Sequence, residues 1–106
     1  MLQEVQASEL KALLAEKPDL QLVDVREQWE YDTVHIEGSI LMPLSQFQNH
    51  YSKLDPSKPV VTYCHHGVRS MNAGMFLIEQ GFEDVASLVG GIDAYSIEVD
   101  PSLARY

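Results

Sequence analysis

Three short β-rich runs, "LQLVDV" (20–25), "VVTY" (60–63) and "DVASLVGG" (84–91), recur along the chain with room for helices between them. Runs this short, β-branched and bounded by turn residues, read as buried strands rather than helices. Two weaker runs, "EVQ" (4–6) and "SILMPL" (39–44), bring the expected strands to five. Strands alternating with helical segments at this spacing specify an α/β fold. The expectation is a mainly parallel sheet flanked by helices on both faces.

The intervening segments carry helix signals. Ser8 reads as the N-cap of an amphipathic helix with Leu10, Leu13 and Leu14 on one face and Pro18 beyond its end. "REQWEYDTVHIEG" (26–38) reads as a loop with one helical turn around Trp29, and Ser45 as the cap of a short helix carrying Phe47 and Tyr51. "DPSKP" (55–59) is turn chemistry. A helix is expected from Ser70 to Gln80, stopped by Gly81. Met71, Ala73, Met75, Phe76, Leu77 and Ile78 make it apolar on most of its surface, so it is expected to be largely buried. Gly74 in its interior costs about 1 kcal/mol relative to Ala, which implies close packing onto the sheet. A last helix is expected from about Ile92.

At 106 residues the chain is long enough for one domain, taken as 1–106, with a core that needs no disulfide or metal. No apolar run approaches the ~18 residues of a membrane span, and "MLQEVQASEL" lacks the pattern of a signal peptide. The single cysteine excludes an internal disulfide, and a cytoplasmic location is the expectation. Sixteen acidic side chains against seven basic ones give a net charge of −9, which argues against nucleic acid or an anionic membrane as partner. The acids are unevenly spread. From Pro59 to Ile78 there is none, and Arg69 is the only formal charge.

That window holds the one thiol, in "VVTYCHHGVRS" (60–70). In parallel sheets the ligand site lies outside the carboxyl ends of the strands, and Cys64 follows such an end. A strand–loop–helix of this kind aims backbone N–H groups at the sulfur, and the following helix adds the positive end of its dipole. With His65, His66 and Arg69 nearby, the thiolate is favoured over the thiol. Gly67 allows a positive φ, which curls the loop amides inward. A lone cysteine is more often a small core hydrophobe; its place between a strand end and a Gly/Arg loop favours chemistry. A metal site on Cys64, His65 and His66 is not expected, because three consecutive residues rarely converge on one ion. Nor is a Cys–His pair, since adjacent side chains diverge. His66 and Val68 also fit as rim residues. A cradled thiolate without a second cysteine suits two chemistries: holding a sulfane sulfur as a persulfide, or attacking an oxyanion such as phosphate or arsenate.

Taken together, the motifs resemble the single-domain rhodanese family of sulfurtransferases. "LVDVREQWEYDTVHIEGSILMPL" is similar to the family's Asp-Val-Arg-Glu … Glu-Tyr … His-Ile-x-Gly segment, "KPVVTYCHHGVRS" to its Cys-x-x-Gly-x-Arg-Ser loop, and "GFEDVASLVGGIDAY" to its Leu-x-Gly-Gly-Ile-x-Ala-Trp close. The resemblance runs from about residue 2 to 100. It implies a rhodanese-like fold and a sulfurtransferase that needs no cofactor or metal. Cys64 would be the persulfide-forming nucleophile, and His65, His66, Gly67, Val68, Arg69 and Ser70 the loop that binds the anion.

Related phosphatases use a loop one residue longer than the four residues that separate Cys64 from Arg69 here, so the resemblance favours sulfur over phosphoryl transfer. It also suggests that Asp24 and Arg26 shape the site, with an ion pair to Arg69 or to each other as the alternative, and that His35 is structural. Tyr95, Glu37 and Val34 depart from the family's usual Trp, Pro and Gly. The implied partner is a small sulfur donor such as thiosulfate. The closing "GGIDAYSIEVDPSLARY" also resembles rhodanese domains fused to adenylyltransferases, which implies a sulfur-relay protein partner. The alternatives are a persulfide carrier with little thiosulfate turnover, a phosphatase or arsenate reductase, and an inactive binding module.

Overall fold

The computed structural model describes every residue from Met1 to Tyr106. Five strands form one wholly parallel sheet: β1 (Gln3–Val5), β2 (Gln21–Asp24), β3 (Ile40–Leu41), β4 (Val60–Tyr63) and β5 (Val85–Leu88), in the order β1-β5-β4-β2-β3. Helices α1 (Ala7–Glu16), α2 (Gln28–Thr33), α3 (Phe47–His50), α4 (Val68–Glu79) and α5 (Gly91–Glu98) connect them. The expected α/β architecture is therefore present. The run 39–44 contributes only two residues to the ladder. Ser45 is not the expected cap: it lies inside a 3-10 turn at Leu44–Gln46, and the short helix is a single α-turn, preceded by Gln46, between that turn and another at Tyr51–Lys53.

The central strands alternate between two cores, because successive side chains on a strand point to opposite faces. Leu22, Val61, Tyr63, Ala86 and Leu88 pack with Leu10, Ile92 and Tyr95 on the α1/α5 side. Val23, Val60 and Val85 pack with Phe47, Ala73 and Leu77 on the α3/α4 side. Cys64 belongs to this second core. Its parity with Val60 and Thr62 sends the thiol under the start of α4, where Thr62 Oγ1 also donates to the Ser70 carbonyl at 2.8 Å.

Three local expectations are corrected. Helix α1 begins two residues early: Gln6, not Ser8, precedes its first turn, and the Gln6 amide donates to Glu9 Oε1 at 3.0 Å. A carboxylate reaching back satisfies the helix end as well as a serine cap would. Helix α4 begins at Val68 rather than Ser70, which places Gly67 at its cap. Nor is α4 buried all round. Ser70, Ala73, Gly74 and Leu77 face the sheet, while Val68, Met71 and Met75 form an exposed stripe at helical spacing. Gly74 does mark a close approach: a Cβ there would lie 2.6 Å from Leu2 Cδ1 and 3.6 Å from Val85 Cγ1.

Candidate active site

The turn from β4 into α4 wraps around the sulfur. Cys64 is 1% exposed, and its Sγ accepts the amide N–H of Gly67 at 3.0 Å and of Ser70 at 3.4 Å. Gly67 reaches this position at φ +120°, a conformation that side chains rarely adopt. The amides of His65 and His66, outside any element, and of Val68 and Arg69, which open α4, donate to no acceptor within the protein. Ser70 Oγ lies 3.6 Å from the sulfur, donates to the Gly67 carbonyl at 3.0 Å and shares a 2.7 Å hydrogen bond with Ser87 Oγ. Ser87, on β5, is a site neighbour that no sequence motif pointed to.

The loop carbonyls are held from the other side by α5. The amide of Ile92 donates to the Cys64 carbonyl at 2.9 Å, and that of Asp93 to the His65 carbonyl at 3.2 Å. This contact requires the second glycine of the "GG" pair. Gly91 has φ +62°, and a Cβ on it would overlap the carbonyl oxygens of Cys64 and His65. The loop after Cys64 is thus clamped between the first turns of two helices.

Arg69 does not point its guanidinium at the thiol in isolation. Its Nη1 and Nη2 donate to Glu30 Oε1 and Oε2 at 2.6 and 2.9 Å. Glu30 is buried, and its Oε1 also accepts the Glu27 amide at 3.0 Å, closing the first turn of α2. Burial alone would push the Glu30 carboxyl up. The bonds from Arg69, Tyr106 and Glu27 outweigh it and hold the group at about 2. Hydrogen bonding to Glu30 in turn raises Arg69 above the usual arginine value. The acid-free sequence window around Cys64 is therefore not acid-free in space.

Asp24 and Arg26 pair with each other. Both are fully buried, and Arg26 donates from Nε and Nη2 to the two Asp24 oxygens at 2.9 and 2.7 Å. A further Nη2 bond reaches the Val34 carbonyl at 2.6 Å, and Arg26 Nη1 donates to the Tyr106 hydroxyl at 2.8 Å. Of the two arrangements that the sequence left open, the ion pair with each other is the one formed. Tyr106 then donates to Glu30 Oε2 at 2.6 Å. The two ion pairs are thereby joined into one chain, Asp24–Arg26–Tyr106–Glu30–Arg69. Burial, then donation to Glu30, pushes the Tyr106 hydroxyl up to about 12, so it stays a donor at neutral pH.

The histidines flank this network. His65 stacks on Tyr106 and on His66, with ring centroids 3.9 Å apart in both cases. Burial, reinforced by His66, lowers the His65 pKa from its ordinary value, which disfavours the charged imidazolium. His66 is mostly exposed, with Nε2 3.8 Å from Asp93 Oδ2. Asp93 thus brings a third ligand-type group to within 4.8 Å of the two imidazoles. The two rings stack 23° from parallel, and Asp93 already accepts from Arg105 at 3.0 Å. His35 lies away from the loop contacts, its Nδ1 2.9 Å from the Tyr31 carbonyl and its ring stacked on Tyr31. A shallow cavity of about 190 Å³ opens beside the loop, lined by His66, Gly67, Val68, Met71 and Leu88 among others.

A thiol at the carboxyl edge of a parallel sheet, bonded by the amides of a four-residue loop, is the arrangement of a sulfur-handling domain. The chain belongs to the rhodanese-like domain family, which it matches over residues 6–98. It is 38% identical over 91 residues to the thiosulfate sulfurtransferase GlpE of Coxiella burnetii, covering 85% of each chain. It is also 37% identical over 100 residues to the probable adenylyltransferase/sulfurtransferase MoeZ of Mycobacterium tuberculosis, covering 92% of this chain and 26% of that one. Among solved structures, the rhodanese-related protein of Thermoplasma volcanium superimposes with a TM-score of 0.85 at 27% identity, over 98% and 99% of the two chains.

Proposed function

We propose that the protein is a thiosulfate sulfurtransferase working through a persulfide on Cys64. The observation that carries this reading is the sulfur itself, bonded by two backbone amides in a loop that keeps four more N–H groups without a protein acceptor. Fixed dipoles around a developing anion stabilise it without reorganising.

In the first half-reaction the Cys64 thiolate attacks the outer sulfur of thiosulfate. A new S–S bond forms, and the old one breaks as sulfite leaves with the electron pair. In the second, a thiophilic acceptor such as cyanide takes the terminal sulfur as thiocyanate and the thiolate is restored. The loop amides hold the charge on sulfur, and the Ser70 hydroxyl, donating to the Gly67 carbonyl, fixes the loop that presents them. Arg69, its guanidinium oriented by Glu30, offers its remaining N–H donors to the oxygens of the donor anion. The buried Asp24–Arg26 pair supports the strand end and takes no part in bond making.

A protein as donor or acceptor is a second reading. A chain of net charge −9 repels a small dianion at long range and steers in a basic protein. The relay-type name of the mycobacterial relative supports it. A single free thiol suits a reducing compartment, and no helix is long and apolar enough to cross a membrane, so a cytoplasmic site of action fits both readings.

The test is intact-mass spectrometry after brief incubation with thiosulfate, then with cyanide, beside Cys64→Ser. The expected result is a gain of one sulfur in the wild type only, lost again to cyanide. No gain from thiosulfate, but a gain from a protein persulfide, would leave the carrier reading in its place.

A further inference from the structure

Tyr106 makes more contacts with the site than a surface tyrosine far along the chain has reason to. Its hydroxyl accepts from Arg26 Nη1 at 2.8 Å and donates to Glu30 Oε2 at 2.6 Å. Its ring lies parallel to His65, the residue after the nucleophile, at 3.9 Å and 12°. It also meets Trp29 of α2 edge-on at 5.7 Å. One side chain therefore touches the end of β2, helix α2 and the active loop together.

The segment that carries it is anchored along its length. After α5 the Asp100 amide donates to the Tyr95 carbonyl at 3.0 Å and the Leu103 amide to the Asp100 carbonyl at 3.1 Å. Leu103 and Tyr106 pack against the α1/α5 core, and Arg105 Nε donates to Asp93 Oδ1 at 3.0 Å. The hydroxyl is thus delivered to its place by a built connection.

Each Glu30 oxygen has two donors. Oε1 takes Arg69 Nη1 and the Glu27 amide; Oε2 takes Arg69 Nη2 and the Tyr106 hydroxyl. A carboxylate fixed at all of these positions presents one orientation to Arg69. Without the Tyr106 hydroxyl, Oε2 loses a short donor and Arg26 Nη1 loses its acceptor, so the carboxylate can rotate and carry the guanidinium with it. A phenylalanine keeps the stack on His65 and removes only this bridge.

We propose that Tyr106 is a positioning residue of the sulfur-transfer site, one that fixes the orientation of Arg69 through Glu30 and braces His65 through its ring. The inference rests on the reading of Cys64 and Arg69 as that site. It extends the site beyond the residues 6–98 that match the family, and its action is on binding of the anionic donor rather than on the thiol.

The experiment uses the full chain with Tyr106→Phe, Glu30→Gln and the double variant. Thermal midpoints serve as the folding control. Steady-state rates give KM for thiosulfate and kcat, and guanidinium NMR of the arginine Nη groups reports whether Arg69 is held. Tyr106→Phe should raise KM by roughly three- to tenfold with kcat within about twofold, and should broaden or collapse the resolved Arg69 Nη signals. The double variant should be no worse in KM than Glu30→Gln alone, because both changes release the same group.

Unchanged Arg69 signals together with an unchanged KM in Tyr106→Phe would overturn the proposal. So would effects of the two substitutions that simply add. If the wild type takes no sulfur from thiosulfate, the enzymatic reading fails, while the NMR comparison still decides whether Tyr106 positions Arg69.

Discussion

Glu30 and Arg69 meet in a two-pronged ion pair, 2.6 and 2.9 Å, across 39 residues of sequence. The same carboxylate closes the first turn of α2 through the Glu27 amide. One side chain therefore couples the start of α2 to the orientation of Arg69 in the first turn of α4.

Glu30→Gln tests this coupling. The amide keeps the volume but loses the charge that faces Arg69, which is about one-third exposed. Solvent screening keeps the expected loss of stability near 2 kcal/mol, below the value for a wholly buried pair. Urea unfolding measures that loss, and KM for thiosulfate should rise in parallel.

The pH dependence follows from the same carboxyl. Its folded-state value of about 2 lies below the ordinary 4.5, so it contributes stability that is fully present above pH 4.5 and is lost as pH falls toward 2. Thermal midpoints measured from pH 6 down to pH 2.5 should decline more steeply for the wild type than for Glu30→Gln. Parallel curves would show that the carboxylate is not the group responsible.

Ser70→Ala removes a hydroxyl 3.6 Å from the sulfur but leaves the amide that bonds it. Persulfide loading should slow by roughly three- to tenfold because the Gly67 carbonyl loses the donor that fixes the loop, and stability should fall by about 1 kcal/mol because Ser87 Oγ loses its partner. Stopped loading reactions read by mass give the first quantity. Adding Ser87→Ala should restore part of the second, since both unpaired groups are then gone.

Gly91→Ala should be costly, by about 2–4 kcal/mol, because it combines a left-handed φ with overlap on the Cys64 and His65 carbonyls. Gly38→Ala is the control: φ is +86° there as well, but nothing lies within 4 Å of the added carbon, so only the backbone strain of about 1 kcal/mol remains. Denaturant midpoints of the two variants separate strain from overlap. A similar loss for both would mean that the clamp by α5 contributes little.

What the sequence made legible is what local physics decides. Short β-branched runs bounded by turn residues marked the strands, and the strand–Cys–Gly–Arg order marked the loop, because both are set by neighbours along the chain. Glu30 and Tyr106 were not legible as partners: they meet across 76 residues, and a glutamate inside a helical turn carries no sign of what it faces. Apolar composition likewise could not say which side of α4 packs. Met71 and Met75 stay exposed because only the stripe through Ser70, Ala73, Gly74 and Leu77 meets the sheet. The residue type at Ser8 suggested a cap, but Glu9 reaches the Gln6 amide first, and the helix starts there. For Asp24 and Arg26 the sequence left a site-shaping role and an ion pair with Arg69 or with each other open, and only the fold shows that they pair with each other.

Strand β4 also works as a ruler. Val60, Thr62 and Cys64 lie on one face, and Val61 and Tyr63 on the other. Removing or adding one residue within this stretch would turn the thiol away from α4 and aim it into the opposite layer, while leaving the composition almost untouched. Length changes that preserve the chemistry therefore belong in the turn at 55–59 or beyond α4. The four positions ahead of Cys64 carry a constraint on number that is independent of which apolar residues fill them.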